Sequence, residues 1–287
     1  MEKSNSYIGI LVTGSSGQLG KTISELYKDQ NNLRFHFKSK SELDITQLSD
    51  LEKFFQHHQI DFIINCAAYT NVEDAEVRRV KAQKVNSSGV LNLVNVSRKH
   101  NTKLIHISTD YVFDGIKKTP YTENDIPNPL NYYGITKLMG ESIIKDADVD
   151  YYIIRTSWLY SKFENNFFTF ITNALTQNKE IQITTSQKGV PTSVKSLSKF
   201  LIFLIKNSKD IPFGTYNYVD DGIASWYDFA FEIARNYYPS KTQIIKAIDV
   251  YATKAVRPNY SVLSNSKIKK FYTNILPWQE ILKDTLN

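Results

Sequence analysis

The sequence predicts an α/β chain with a doubly wound parallel sheet and a smaller, interleaved C-terminal lobe. Three observations carry this. Apolar strand-like runs alternate with amphipathic segments through the first half. The turn Thr13-Gly14-Ser15-Ser16-Gly17-Gln18-Leu19-Gly20 follows the first apolar run. The alternation then loosens after about residue 160. Strands alternating with helices join through right-handed crossovers, which cover a parallel sheet on both faces.

Each element has its own pattern. "YIGILVTG" is a buried strand ending in glycine, and "QLGKTISELYK" has helical periodicity. "LRFHFKS" is strand-like and "TQLSDLEKFFQHH" helical. "IDFIINCAA" is a strand, and one long helix is expected over "VKAQKVNSSGVLNLVNVSRKH". "KLIHIST" is a strand, "GITKLMGESIIKD" a helix and "YYIIRTSWLY" a strand. Further on, "NNFFTFITNALTQ" and "SWYDFAFEIARNYY" read as amphipathic helices, and "EIQITTSQKGVPTS" as strand and turn. "KSLSKFLIFLIKN" and "GTYNYVD" read as a helix and strand that return to the main sheet. We therefore expect a dinucleotide-binding domain from residues 1–160 plus about 195–220. Residues of about 161–194 plus 221–287 form a substrate lobe, its dense aromatics serving as core.

Composition narrows the class. At 287 residues the chain can bury a sizeable core. Its single cysteine, Cys66, excludes an internal disulfide and a multi-cysteine metal site, and reads as a small buried apolar residue. The five histidines lack metal-ligand spacing, so no metal is expected. The net charge of +6 comes from scattered lysines, without the stripe that tracks a nucleic-acid backbone. No apolar run reaches membrane length, and "MEKSNSYIGILVTG" lacks the features of a secretory signal. A cytoplasmic chain that binds neither nucleic acid nor membrane is expected.

The glycine turn points to a dinucleotide. Its spacing is G-x-x-G-x-x-G, with Gly14, Gly17 and Gly20 between a strand and a helix. Glycine permits a tight turn and close backbone approach, and the helix N-terminus offers free N–H groups to a pyrophosphate. The sheet is thus Rossmann-like. At the end of the second strand, "FHFKSKSELDI" places Lys38 and Lys40 where an acid would bind a ribose 2′-hydroxyl. Cations suit a 2′-phosphate. NADPH is expected, with NADH the alternative.

The chemistry is expected at the carboxyl edge of the sheet. "HISTDYVFDG" puts Thr109, Asp110 and Tyr111 at a strand tip. Beyond it, Tyr133 and Lys137 are four residues apart and share a helix face, whereas Tyr132 has Thr136 at that spacing. Spacing alone leaves two readings open: an ordinary helix surface, or an acid tuned by a neighbouring cation.

Together, Thr109, Tyr133 and Lys137 resemble the Ser/Thr–Tyr–Lys set of the short-chain dehydrogenase/reductase superfamily, extended branch, which acts mostly on nucleotide sugars. "GQLG", "LDIT", "NCAAYTNVEDAE", "STDYVFDG", "PLNYYGITKLMGE", "IIRTSWLY", "NNF", "QKGVPT" and "RPNYSVL" follow in the order of the dTDP-4-dehydrorhamnose reductase family. The resemblance runs from about residue 8 to the C-terminus.

The resemblance implies a site. Gly17, Gln18 and Leu19 line the pyrophosphate, and Asp44 and Ile45 flank the adenine. Ala67, Ala68, Tyr69 and Thr70 border the ribose and nicotinamide. Thr109, Asp110 and Tyr133 contact the sugar, Trp158 packs near it, and Arg257 meets the diphosphate or makes a structural salt bridge. Tyr133 and Lys137 also border the cofactor, with Lys137 on the ribose hydroxyls. The implied reaction is hydride delivery from NADPH to C4 of a dTDP-linked 4-keto-6-deoxy sugar. Tyr133 is the acid, with its pKa pulled down by Lys137 and the oxidised nicotinamide, and Thr109 binds the same oxygen.

Two positions depart from the family pattern. Some members carry a glutamate at a magnesium-linked dimer, where this chain has Thr22. We expect no metal requirement and a monomer or homodimer. Glu73 replaces a commoner aspartate, a conservative change. Two other functions stay open at this level. One is reduction of a different 4-keto nucleotide sugar. The other is a non-catalytic NADP-binding regulatory subunit, which the intact Thr109–Tyr133–Lys137 set disfavours.

Overall fold

The computed structural model describes residues 7–286. The chain opens with β1 (Ile8–Thr13), α1 (Gln18–Tyr27), β2 (Leu33–Lys38), α2 (Leu48–His57) and β3 (Phe62–Asn65). Next come α3 (Val72–Val77), α4 (Arg79–Gln83), α5 (Gly89–His100), β4 (Lys103–Thr109), α6 (Tyr132–Lys145) and β5 (Tyr151–Thr156). The second half holds β6 (Leu159–Tyr160), α7 (Phe167–Thr176), β7 (Ile181–Thr184), β8 (Lys188–Gly189) and β9 (Thr192–Ser193). It ends with α8 (Val194–Lys206), β10 (Gly214–Asn217), β11 (Ala224–Ser225), α9 (Trp226–Tyr237), β12 (Ile245–Ile248) and α10 (Trp278–Leu282).

Six parallel strands form the main sheet in the order β10-β5-β4-β3-β1-β2. Strand order reverses between β1 and β3, which opens a crevice at their carboxyl ends. Side chains alternate across the sheet. Ile10 and Val12 of β1 pack with Leu197, Phe200 and Leu201 of α8. Leu11 packs on the opposite face, in a core shared by Phe54 and Phe55 of α2, Leu93 of α5 and Ile144 of α6. All of these are at most 9% exposed, as a doubly covered parallel sheet requires. β10 returns to the sheet, pairing Tyr216 with Ile154 of β5.

A separate core of Tyr160, Phe168, Phe229 and Trp278 binds α7 and α9 to the C-terminal segment. Three two-stranded ribbons, β11-β8, β12-β7 and β6-β9, lie outside the main sheet.

The structure departs from the sequence expectations in three places. The expected helix over residues 80–100 is broken: α4 passes into a π-helical turn at Lys84–Ser88 before α5 begins. That turn aims the buried Asn86 inward, where its amide meets both Tyr69 backbone groups and Thr136 Oγ1. The strand expected over 60–68 is confined to β3, because the chain beyond Asn65 turns across the glycine loop. Cys66 is half-buried, not fully buried, and its burial pushes the thiol up to about 12.

Candidate active site

Local capping fixes the position of Tyr133. Asn131 is the N-cap of α6, its side chain accepting from Gly134 N at 2.9 Å, an arrangement that satisfies an orphan helix donor. Its Nδ2 donates to Val256 O at 2.9 Å, so the cap also holds the C-terminal segment. Gly134 lets the helix press on the turn after β4, since a Cβ there would lie 2.2 Å from Tyr111 O. Tyr133 therefore sits beside the tip of β4, its ring edge-on to Tyr111 at 6.0 Å. Burial pushes its phenol well up, and the adjacent Thr109 hydroxyl partly offsets that. Tyr132 turns away, donating its backbone N–H to Glu76 Oε1 and its hydroxyl to Gln83 Oε1.

The expected lowering of the phenol by Lys137 is not what this geometry produces. Lys137 is 2% exposed. Its Nζ donates to Ile107 O at 2.6 Å and lies 3.1 Å from His106 Nε2. Burial brings the amine down to about 8, against smaller raising effects from Glu141 and Cys66. The four-residue spacing is present, but the ammonium head reaches into the sheet. A raised phenol keeps its proton until charge develops next to it, which suits an acid.

Thr109 and Asp110 stand at the carboxyl end of β4. The Thr109 hydroxyl donates to Asp110 Oδ1 at 3.1 Å and accepts from Tyr111 N at 3.1 Å. The Asp110 carboxyl is buried and pushed up to about 7 by that burial, against smaller lowering effects of the nearby Ser261 and Thr109 side chains. Its Oδ2 has no partner. Trp158, just past β5, has a left-handed backbone at φ 46 and stacks on Trp226 at 3.5 Å. A non-glycine residue in that region stores strain, a feature concentrated at functional sites. Nothing in the sequence pattern pairs these two tryptophans.

Arg257 donates through Nη2 to Glu73 Oε1 at 3.0 Å, and its Nε has no partner. The salt bridge is thus present, and the unpartnered Nε is buried.

The nucleotide end is assembled as its glycines suggest. Gly14 has φ 63, and a Cβ there would lie 2.7 Å from Ala67 Cα. Gly17 N-caps α1 without a side-chain hydrogen bond to the first turn. Gln18 points to the second half, donating to Leu159 O at 3.3 Å and accepting from Ser161 Oγ at 3.1 Å. Leu19 and Ile45 are buried. Lys38 Nζ lies 5.7 Å from the Phe54 ring centroid, and the largely exposed Lys40 lies 4.0 Å from Asp44. Glu42, the nearest acid, is folded onto Ser39, accepting from its N–H and hydroxyl. Ala67, Ala68 and Tyr69 are half-buried in the loop after β3, and Thr70 is exposed.

A cavity of about 550 Å³ lies elsewhere, between α1, α8 and the C-terminal segment, and none of the expected catalytic, cofactor or substrate residues lines it. Among the described residues, no cluster of three or more His, Cys, Asp or Glu side chains could hold a metal. Nor is any described helix long and apolar enough to cross a membrane.

A glycine loop on a doubly wound sheet, with threonine, tyrosine and lysine gathered at β4 and α6, defines a short-chain dehydrogenase/reductase. More narrowly, the chain belongs to the RmlD substrate binding domain family, whose model matches residues 8–287. A dTDP-4-dehydrorhamnose reductase of Aggregatibacter actinomycetemcomitans is 34% identical, over 96% of this chain and 97% of the relative. A dTDP-4-dehydrorhamnose reductase from Bacillus anthracis, solved in complex with NADP, superposes with a TM-score of 0.92. It is 33% identical, covering 98% of this chain and 99% of that one. A third, from Clostridium acetobutylicum, gives 0.91 at 36% identity, covering 97% and 98%.

Proposed function

We propose that this chain reduces the C4 keto group of dTDP-4-dehydro-L-rhamnose to give dTDP-L-rhamnose, using NADPH. The chain is an NAD(P)H-dependent oxidoreductase of the dTDP-4-dehydrorhamnose reductase type. The observation that carries the mechanism is the place of Tyr133 beside the tip of β4, where its ring lies edge-on to Tyr111 and the strand ends at Thr109.

The residues at the nucleotide end fit the cofactor. Gly14 brings the first loop against Ala67, and the first turn of α1 keeps its N–H groups free of side-chain caps, as a pyrophosphate requires. Lys38 and Lys40 supply cations for a 2′-phosphate, Asp44 and Ile45 flank the adenine, and Ala67–Thr70 border the ribose. When bound, NADPH supplies the hydride.

The remaining work belongs to the chain. Thr109, its oxygen held by the Tyr111 N–H, turns its one proton from Asp110 to the carbonyl oxygen when the substrate is bound. Tyr133 gives that oxygen its proton as negative charge develops there. Lys137 holds the ribose hydroxyls. Trp158 packs against the sugar, Asp110 contacts it, and Arg257 meets the diphosphate. Residues 1–160 plus about 195–220 carry the cofactor, and about 161–194 plus 221–287 the substrate. We expect no metal requirement, because Thr22 stands where some family members carry the glutamate of a magnesium-linked dimer. We place the activity in the cytoplasm, in a monomer or homodimer.

The test is loss of NADPH absorbance with dTDP-4-dehydro-L-rhamnose in the presence of a chelator. Rapid oxidation is expected. No oxidation, with or without magnesium, would overturn the assignment and leave a different 4-keto sugar or a silent cofactor-binding subunit.

A further inference from the structure

Thr13, Asn65 and His106 stand in one row across three strands. The ladder pairs Thr13 with Asn65, and Asn65 with His106. All three side chains share the sheet face that α6 covers. Thr13 Oγ1 donates to Asn65 Oδ1 at 2.8 Å, and the Ala67 backbone N–H donates to the same atom at 3.2 Å. A backbone N–H can only donate, so this atom is the amide oxygen, and the amide nitrogen faces His106.

The polarity then propagates. Asn65 Nδ2 lies 3.0 Å from His106 Nδ1, which must accept. The ring is fully buried, and that burial is the chief cause holding it neutral, well below its ordinary pKa. A neutral imidazole accepting at Nδ1 carries its proton on Nε2. That N–H points at Lys137 Nζ, 3.1 Å away. An ammonium has three donors and no lone pair, so it would set N–H against N–H. An amine has a lone pair for the ring and a proton for Ile107 O.

We propose that His106 is a positioning residue for Lys137: Thr13 and Asn65 lock the imidazole with its N–H toward the amine, so Lys137 gives up its proton more readily than it would beside an acceptor. The inference rests on the role proposed for Lys137. The other groups that face Lys137 leave the lock in control. Cys66, in the loop after β3, is a neutral thiol held up at about 12. Glu141, one turn along α6, favours the ammonium, but its carboxylate is taken by Arg155 of β5 at 2.7 and 2.9 Å and by Lys145 at 3.0 Å. Tyr133, one turn back, is an uncharged phenol.

The consequence is an alkaline limit to activity. Lys137 is cationic below about 8 and loses its charge above it, so kcat/KM falls as pH rises through that value. Asn65→Asp reverses the lock, because a carboxylate draws the ring proton to Nδ1 and turns the Nε2 lone pair toward Lys137. His106→Gln, which changes no charge, offers the amine a carbonyl. Both variants should move the alkaline limb up by about one pH unit, a tenfold gain in proton affinity.

The direct test is nitrogen NMR of His106 in the unaltered chain, with a titration of labelled Lys137. A proton on Nε2, and a lysine titration that rises in both variants, are expected. A proton on Nδ1, or an unmoved titration in both variants, would overturn the lock. Neither readout uses the sugar. A chain that kept the lock but failed to reduce the sugar would sink the proposed function alone.

Discussion

Arg257 and Glu73, 184 residues apart in sequence, are joined at 3.0 Å between their side chains. Glu73 also accepts from the backbone N–H groups of Lys254 and Ala255, at 2.8 and 3.2 Å. Its carboxyl is held below the usual range by these bonds, with burial working against them. One carboxylate thus tethers the segment that carries the guanidinium. Arg257→Ala is expected to raise KM for the dTDP sugar about tenfold or more, as loss of a charged hydrogen bond of ~1.5–3 kcal/mol implies. Glu73→Gln should raise it less, with kcat nearly kept. Steady-state kinetics with the sugar varied decide this. An unchanged KM in Arg257→Ala would leave the residue a purely structural role.

Lys137→Ala should weaken NADPH binding about tenfold or more and slow turnover, since charged hydrogen bonds to ribose hydroxyls are worth ~1.5–3 kcal/mol. Fluorescence titration of the cofactor measures it. An unaltered Kd would remove the ribose from the account.

Lys38→Ala combined with Lys40→Ala should narrow the preference for NADPH over NADH about tenfold, or ~1.4 kcal/mol. The ratio of kcat/KM for the two cofactors is the readout. No change would refute the 2′-phosphate assignment.

The Glu141–Arg155 pair carries a stability prediction. The Glu141 side chain is 0% exposed, that of Arg155 is 1% exposed, and they meet at 2.7 Å. Burial alone would raise the carboxyl, but Arg155, Lys145 and Ser108 hold it below its usual value. A depressed folded pKa means that its stabilisation is present above the unfolded value and lost as pH falls through the folded one. Thermal melts should therefore show Tm dropping below about pH 4.5. Glu141→Gln should lose ~3–5 kcal/mol at neutral pH, because it leaves a buried guanidinium uncompensated. A melt at neutral pH indistinguishable from that of the unaltered chain would contradict this.

Much of the frame is legible in local pattern, because a parallel sheet imposes strand and helix periods that a single segment reveals. β1, α1 and the glycine turn are visible that way, as is the return of α8 and β10. The partners of Lys137 are not. His106 is 31 residues away and meets Lys137 only through the packing of α6 on β4, while the β3–β4 register sets Asn65 beside it. The π-helical turn at Lys84–Ser88 escapes periodicity too, since one extra residue in a turn barely disturbs an apolar stripe. Trp226 was readable as a helix start but not as the face on which Trp158 stacks. The asparagine before Tyr132 is the opposite case: Asn131 in "PLNYYG" is a cap residue whose effect on Tyr133 follows from local chemistry.

Tyr133 as proton donor is decided by turnover of Tyr133→Phe, with NADPH affinity measured on the same preparation. kcat is expected to fall by roughly a hundredfold to ten-thousandfold while NADPH still binds. Turnover near that of the unaltered chain would show that another group donates the proton.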